Sequence, residues 1–468
     1  MNWLYLSCIY LKDGYDHAAL YTSLVLRYHN LTEISGRQID DSGLRALGMV
    51  HNSTLTAIEF SKVSLTGVGL TRVCTGCPNL KLLLLACEND CEVTDEDARS
   101  LAKCPQLEKL SMAKWTKITD ASITVLASLS LLKGIDLSNC SGLTSGGVQS
   151  LLRSNRNLET IILSNRDALS FCTFCDDDLL SCIGECCPKL RKFEVDIDPE
   201  STVASEASLI ALFQGCPLLE SLLLLYEKFS DTGLCQLANY CPCLNSLSLI
   251  DGSYTDVGII AVSSKCINLT HLELHRQLNI TDASMISIAE HCRLDVLHQV
   301  AITSFTARGL CRLFEACTEL TSVTLEGLPL VTDRSILTMV RRCPKLSLLA
   351  LNANDGLTEK SLLGLVGLED LGGIQDLLVD NGSYITDEIV AILARNCSKL
   401  KTITLTECPN VTEEALVALL THGKHLTEIE IDYCSVELDQ EMSDTYLTRR
   451  PSARRIKVDL GDLGNYII

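Results

Sequence analysis

The sequence predicts an α/β solenoid of about 17 strand–turn–helix units, a curved horseshoe with parallel strands on its concave face and helices on its convex face. Three observations predict it. An apolar strand pattern recurs, as in Leu107-Glu-Lys-Leu110-Ser-Met112, Leu269-Thr-His-Leu272-Glu-Leu274 and Leu400-Lys-Thr-Ile403-Thr-Leu405. In these units Thr119, Thr281 and Thr412 fall twelve residues after the leading leucine, and each opens an amphipathic stretch. Successive leading positions are mostly 25 or 26 residues apart, room for a strand, a turn and a helix of about three turns. Together these are the marks of a leucine-rich repeat.

The frame runs along nearly the whole chain. Trp3-Leu-Tyr-Leu6 reads as a strand with a helix over 16–28. The leading positions then follow at Leu31, Leu55, Leu80, Leu107, Leu132, Leu158, Leu190, Leu219, Leu244, Leu269, Leu294, Leu320, Leu346, Ile374, Leu400 and Leu426. Arg455-Ile-Lys-Val458 reads as a last strand, and 461–468 as a short tail. We therefore expect one solenoid domain over 1–460, since each repeat needs only its neighbours. Two longer units, Leu158 to Leu190 and Leu190 to Leu219, make 158–219 irregular. Their insertions, Ser164 to Cys175 and an acidic stretch around Asp196 to Ser205 with Pro199, are expected in loops on one side of the stack.

Composition excludes several function classes. A net charge of −20 disfavours nucleic acid, whose phosphates need a basic footprint. Arg449, Arg450, Arg454 and Arg455 form one basic cluster, read as a solvated end-cap rather than a docking patch. No apolar run is long enough to span a bilayer, and no membrane partner is expected. The 24 cysteines do not read as a disulfide framework. Cys77, Cys104, Cys187, Cys216, Cys241, Cys266, Cys317, Cys343 and Cys397 each precede a leading leucine as Cys-x-x-Leu, and six of these nine are followed by proline. A cysteine recurring once per repeat points inward each time and packs as a small hydrophobe. Proline then helps end the helix. Reduced thiols place the protein in the cytoplasm, the nucleus or both.

Other repeated residues are expected to build the scaffold. In Leu-x-x-Leu-x-Leu the leucines face the core and the intervening residues face the concave side. The next inward residue, Cys140, Asn354, Cys408 or Cys434, helps satisfy backbone groups of the turn, with Trp115 and Gln277 as departures. Thr-Asp pairs beginning at 94, 119, 255, 281, 332 and 386 supply acceptors for free N–H groups at helix starts. Their acidic residue also complements the helix dipole.

No catalytic residues, cofactor or metal ligands are expected. There is no His-Glu-x-x-His, Walker-type loop or Gly-x-Ser-x-Gly, and His422-x-x-His425 has no supporting carboxylate arrangement. Cys172-x-x-Cys175 with Cys182, Cys186 and Cys187 has zinc-like spacing. The helical positions of Cys182 and Cys186 and the repeat role of Cys187 favour a structural reading. The concave face carries the binding expectation. Its early strands offer Lys81, Lys109, Lys114 and Lys133; its late strands offer Asp376, Asp380, Glu428, Glu430, Asp432 and Tyr433. In the middle, Leu223, Leu225, Tyr226, His271, His275 and Arg276 are the candidate partner-binding residues, mixing apolar, aromatic and arginine anchors. The acidic late strands suit a basic segment on a protein partner.

Cys104-Pro-Gln-Leu107 with Ile118-Thr-Asp120, and Leu405-Thr-Glu-Cys408-Pro-Asn-Val411-Thr412, follow one form: Cys-Pro-x-Leu, Leu-x-Leu-x-x-Cys, then Ile-Thr-Asp. In this the chain resembles the cysteine-containing leucine-rich repeats of F-box/leucine-rich-repeat proteins. The resemblance implies a substrate-recognition subunit of an SCF-type cullin-RING ubiquitin ligase, with the repeats holding a protein substrate and an F-box holding a Skp-type adaptor. No Leu-Pro-led F-box helices precede the first repeat, so the adaptor is expected only with an upstream F-box. A stand-alone adaptor or inhibitor that sequesters a signalling partner is the alternative. A GTPase-activating or immune-sensor fragment fits the Cys-Pro and Thr-Asp signatures less well.

Overall fold

The structure, a computed structural model, describes residues 31–49, 54–87, 91–164, 172–198, 204–366, 373–423 and 425–436. It also describes residue 23 and the strand backbones at Trp3–Leu6, Arg455–Asp459 and Asn465–Ile467. The helix expected over 16–28, the insertion at 165–171, the acidic loop around Pro199 and the basic residues 449–454 lie outside the described residues. The chain divides into two compact units, Met1–Lys228 with Asn239–Leu244, and Phe229–Ala238 with Asn245–Ile468.

In the first unit Trp3–Leu6 pairs parallel with Glu33–Ile39. The parallel ladder continues through Ala57–Val63, Leu82–Cys87, Lys109–Ser111, Gly134–Asp136, Thr160–Ile162 and Lys192–Asp196 to Ser221–Leu225. In the second, the same ladder runs from Ser246–Ile250 through His271–His275, Val296–Val300, Ser322–Glu326, Leu348–Asn352, Asp376–Asp380, Thr402–Thr406 and Glu428–Asp432 to Arg455–Asp459. Asn465–Ile467 then returns antiparallel, so part of what reads as a tail supplies a strand.

From Glu33–Ile39 to Thr402–Thr406 each strand is followed by a helical segment, a two-layer α/β repeat. Alternation puts Leu247, Leu272, Leu297, Val323, Leu349, Leu377, Ile403 and Ile429 in register as one buried row. Each such side chain contributes about 1.5–3 kcal/mol on burial. The long unit from Leu158 to Leu190 keeps this register: Ile135, Ile161, Phe193 and Leu222 stay aligned. Helices also approach closely. A Cβ on Gly76 would lie 1.9 Å from the Gly48 carbonyl oxygen, and one on Gly215 would lie 2.0 Å from that of Gly184. Any larger residue there forces neighbouring helices apart.

Two ladders stitch the repeats together. In the first, Thr255, Thr281 and Thr306 cap their own helices by accepting from Val257, Ala283 and Arg308 N–H. The aspartates that follow Thr255 and Thr281, expected to act on their own helices, instead reach the next repeat. Asp256 accepts from the Thr281 N–H at 2.9 Å, the Thr281 hydroxyl at 2.6 Å, and the Ser284 N–H and hydroxyl. Asp120 and Thr144, Asp282 and Thr306, Asp333 and Thr358, and Asp387 and Thr412 repeat the arrangement.

Burial pushes the Asp256 carboxyl up, but hydrogen bonds from Ser284 and Thr281 outweigh it and hold it below its ordinary value. A folded pKa below the unfolded one adds stability that is present above about pH 4 and lost as pH falls. Asp256→Asn is expected to cost about 1 kcal/mol at neutral pH, given a site partly open to water. Urea titrations at neutral and acidic pH check this: the gap between wild type and variant should close in acid. A gap of equal size at both pH values would rule out the charge as its source.

The second ladder is made of the repeat cysteines. Cys77, Cys187, Cys216, Cys317, Cys343 and Cys397 end their helices, each N–H bonding the carbonyl four residues earlier. The thiols of Cys77, Cys216, Cys317 and Cys343 turn to the preceding repeat. Cys216 donates to the Cys187 carbonyl at 3.4 Å, Cys241 to Cys216 at 3.6 Å, and Cys343 to Cys317 at 3.5 Å. Cys292 joins the ladder through the Cys266 carbonyl although its spacing to the next leucine is one residue shorter. Burial pushes the Cys216, Cys292 and Cys343 thiols up to about 12. Thiols held protonated in this way are poor nucleophiles.

At the inward position after each strand, Cys140 Sγ donates to the Met112 carbonyl at 3.0 Å and Asn354 Nδ2 to the Leu325 carbonyl at 2.8 Å, as expected for turn-satisfying residues. Trp115 fills the same position and is fully buried. Gln299 breaks the apolar pattern of its row: it lies in register between Leu274 and Leu325, is 0% exposed, and neither atom of its amide has a partner.

Candidate functional site

Alternation along His271–His275 sends Leu272 and Leu274 to the core and leaves His271, Glu273 and His275 on the open sheet face. Parallel register sets Ser248, Glu273, His298 and Thr324 in one row of that face, and Ile250, His275, Val300 and Glu326 in the next. Neighbouring strands are about 4.8 Å apart, so side chains within a row meet.

They meet on Glu273. Its Oε2 accepts from the Ser248 hydroxyl at 2.7 Å, while Oε1 lies 2.8 Å from His275 Nε2 and 3.2 Å from His298 Nδ1. The two imidazoles pack edge to face with centroids 4.8 Å apart. The His275 contact is close in distance but off-axis, leaving the buried Nε2 without an aligned hydrogen-bond partner. Burial pushes the Glu273 carboxyl up; interactions with His275, His298 and Ser248 reverse this and hold it well below the usual carboxylate range. One donor atom from each of Glu273, His275 and His298 lies within 4.8 Å of the others, the one such metal-competent group among the described residues.

The six expected binding residues divide. His271 is exposed, its Nδ1 2.8 Å from the Thr270 hydroxyl. His275 belongs to the Glu273 cluster. Arg276 occupies a left-handed turn with φ of 57° that swings its exposed side chain off the strand end, 3.5 Å from Asp251. In the first unit Leu225 is half-buried. Leu223 and Tyr226 are 4% and 2% exposed, a correction to their expected place as surface anchors. Leu223 is covered within a tightly packed row in which Glu194, its register neighbour, is also buried. Tyr226 turns inward, its hydroxyl donating to the Ala204 carbonyl at 3.0 Å across the irregular unit. His298 and Ser248 are not among the expected residues. The signal for both is the 25-residue step, which puts Ser248, Glu273 and His298 in one column.

The charged ends of the face are partly spoken for. Lys81 and Lys133 both pair with Glu108. Asp376 and Asp380 are half-buried, and burial with repulsion from Glu407 and Glu326 pushes the Asp380 carboxyl up. The register sets Arg455 and Lys457 opposite Glu428 and Glu430. Tyr433 is 64% exposed at the strand end. Among the described residues, Cys172, Cys175, Cys182, Cys186 and Cys187 gather no set of three ligand atoms at metal-binding range. Cys182 and Cys186 lie one helical turn apart, sulfurs 3.8 Å from each other.

The F-box/LRR-repeat MAX2 homolog of Oryza sativa subsp. japonica is 28% identical over 170 residues, 33% of this chain and 24% of the relative. The F-box protein MAX2 of Arabidopsis thaliana is 34% identical over 97 residues, 20% of this chain and 14% of the relative. The chain is a leucine-rich-repeat protein similar to the F-box/LRR type. It spans a quarter or less of the length of these relatives in the matched regions. A chain from the crystal structure of the Rad7 and Elc1 complex in yeast superposes with a TM-score of 0.55, covering 92% of this chain and 90% of that one at 17% identity, a likeness of fold. No family model matches the sequence.

Proposed function

We propose that the protein is a protein-interaction scaffold that serves as a substrate-recognition subunit of an SCF-type ubiquitin ligase, binding its target rather than transforming it. The observation that carries this reading is the 170-residue similarity to an F-box/LRR-repeat relative, on a chain whose cysteine and Thr-Asp ladders follow that repeat subtype. In this reading His271, His275 and Arg276 contribute to the partner surface, and the late acidic strands favour a basic segment. The buried cysteine ladder, with thiols held protonated, suits a reducing compartment, the cytoplasm or nucleus.

The protein tagged at its native locus and captured with the proteasome inhibited tests the proposal. Recovery of a Skp-type adaptor and a cullin together with a target that accumulates under inhibition is the expected result. A stable partner recovered without adaptor or cullin would overturn it in favour of a stand-alone adaptor or inhibitor.

A further inference from the structure

We infer that Glu273, His275 and His298 form a binding site for a divalent transition metal ion of the zinc class, independent of any ligase association. The donor set is one carboxylate oxygen and two imidazole nitrogens, a combination that suits zinc and its first-row neighbours and that selects against calcium and magnesium, which prefer all-oxygen shells.

Two of the three separations fit as they stand. Tetrahedral zinc with bonds of about 2.0–2.1 Å keeps its ligand atoms about 3.3 Å apart. Here the carboxylate oxygen is 2.8 Å from one imidazole nitrogen and 3.2 Å from the other, and the three lie within 4.8 Å overall. Small rotations about side-chain bonds bring all three onto one ion. The backbone beneath them is a hydrogen-bonded parallel ladder, not a loop. Ser248 bonds the other carboxylate oxygen and orients it, the outer-shell contact that metal-ligating carboxylates usually have. His275 Nε2, buried and without an aligned partner, acquires one when an ion is bound.

The three side chains are 20–33% exposed, so an ion there keeps access to solvent. Three protein ligands leave a fourth position for water or for a carboxylate, imidazole or thiolate from a docked protein. The site therefore offers the scaffold a metal-bridged contact on its open face.

Purified full-length protein, stripped with a chelator, is titrated with Zn²⁺ by calorimetry and with Co²⁺ by absorption spectroscopy. One ion per chain is expected, with Co²⁺ giving weak visible d–d bands and no intense near-ultraviolet thiolate band. Binding should be lost in His298→Ala and in Glu273→Gln, which preserves carboxyl shape, and should weaken about tenfold in Ser248→Ala. Circular dichroism of the stripped variants establishes folding, and His298→Gln replaces His298→Ala if the latter is unfolded. Absence of binding by the wild type, undiminished binding in the folded His298 and Glu273 variants, or a thiolate band at stoichiometric Co²⁺ would each overturn the assignment.

Discussion

Alanine in place of Trp115 is expected to cost about 3–5 kcal/mol, the largest single effect anticipated in the fold. The indole is fully buried at a position filled elsewhere by cysteine or asparagine, so the surrounding layer is shaped around a much larger group. The parallel strands on either side are held by backbone ladders and cannot collapse inward without losing register. The loss should also be local. Repeats interact mainly with their neighbours, so hydrogen exchange should quicken across Leu82–Asp136 while protection of Thr402–Asp432 stays unchanged. Uniform loss of protection through both units would show that stability is shared far beyond neighbouring repeats.

Leucine in place of Gln299 is expected to stabilise the second unit by about 1–3 kcal/mol, an unusual sign for a core substitution. The glutamine side chain carries a donor and an acceptor into an apolar row between Leu274 and Leu325, where neither is bonded. Leucine removes the desolvation cost and differs little in volume. A higher urea midpoint with the same denaturant dependence is the expected readout. A lower midpoint would show that the amide is bonded in solution and that its partner is part of the fold. Gln299 lies next in sequence to His298, so a variant with intact Zn²⁺ binding also separates this core residue from the proposed metal site.

Much of the fold was legible because the chain repeats it. Period, strand alternation and threonine caps are local properties, and sixteen leading positions leave little freedom in the frame. The partners of repeated residues were less legible. Asp256 sits at a helix start in sequence, but its hydrogen bonds go to a threonine and a serine one repeat later. The cysteine thiols likewise bond carbonyls a repeat earlier. The face was the hardest to read. Leu223 and Glu273 occupy the same strand position in the repeat frame, four residues after the leading leucine, yet one is buried among close neighbours and the other is half-buried and meets two histidines. That difference depends on what stands beside each residue in adjacent repeats.

The constant register has a consequence for how such a protein changes over time. The unit from Leu158 to Leu190 is the longest in the chain, yet Ile161, Phe193 and Leu222 remain abreast. Added length is absorbed between strand and helix, and the spacing error does not propagate to later repeats. Loops can thus be lengthened, traded or shortened while every side chain on the sheet keeps its address. A binding surface built on this grid is altered one square at a time, by substitution, whereas its border is redrawn by insertion.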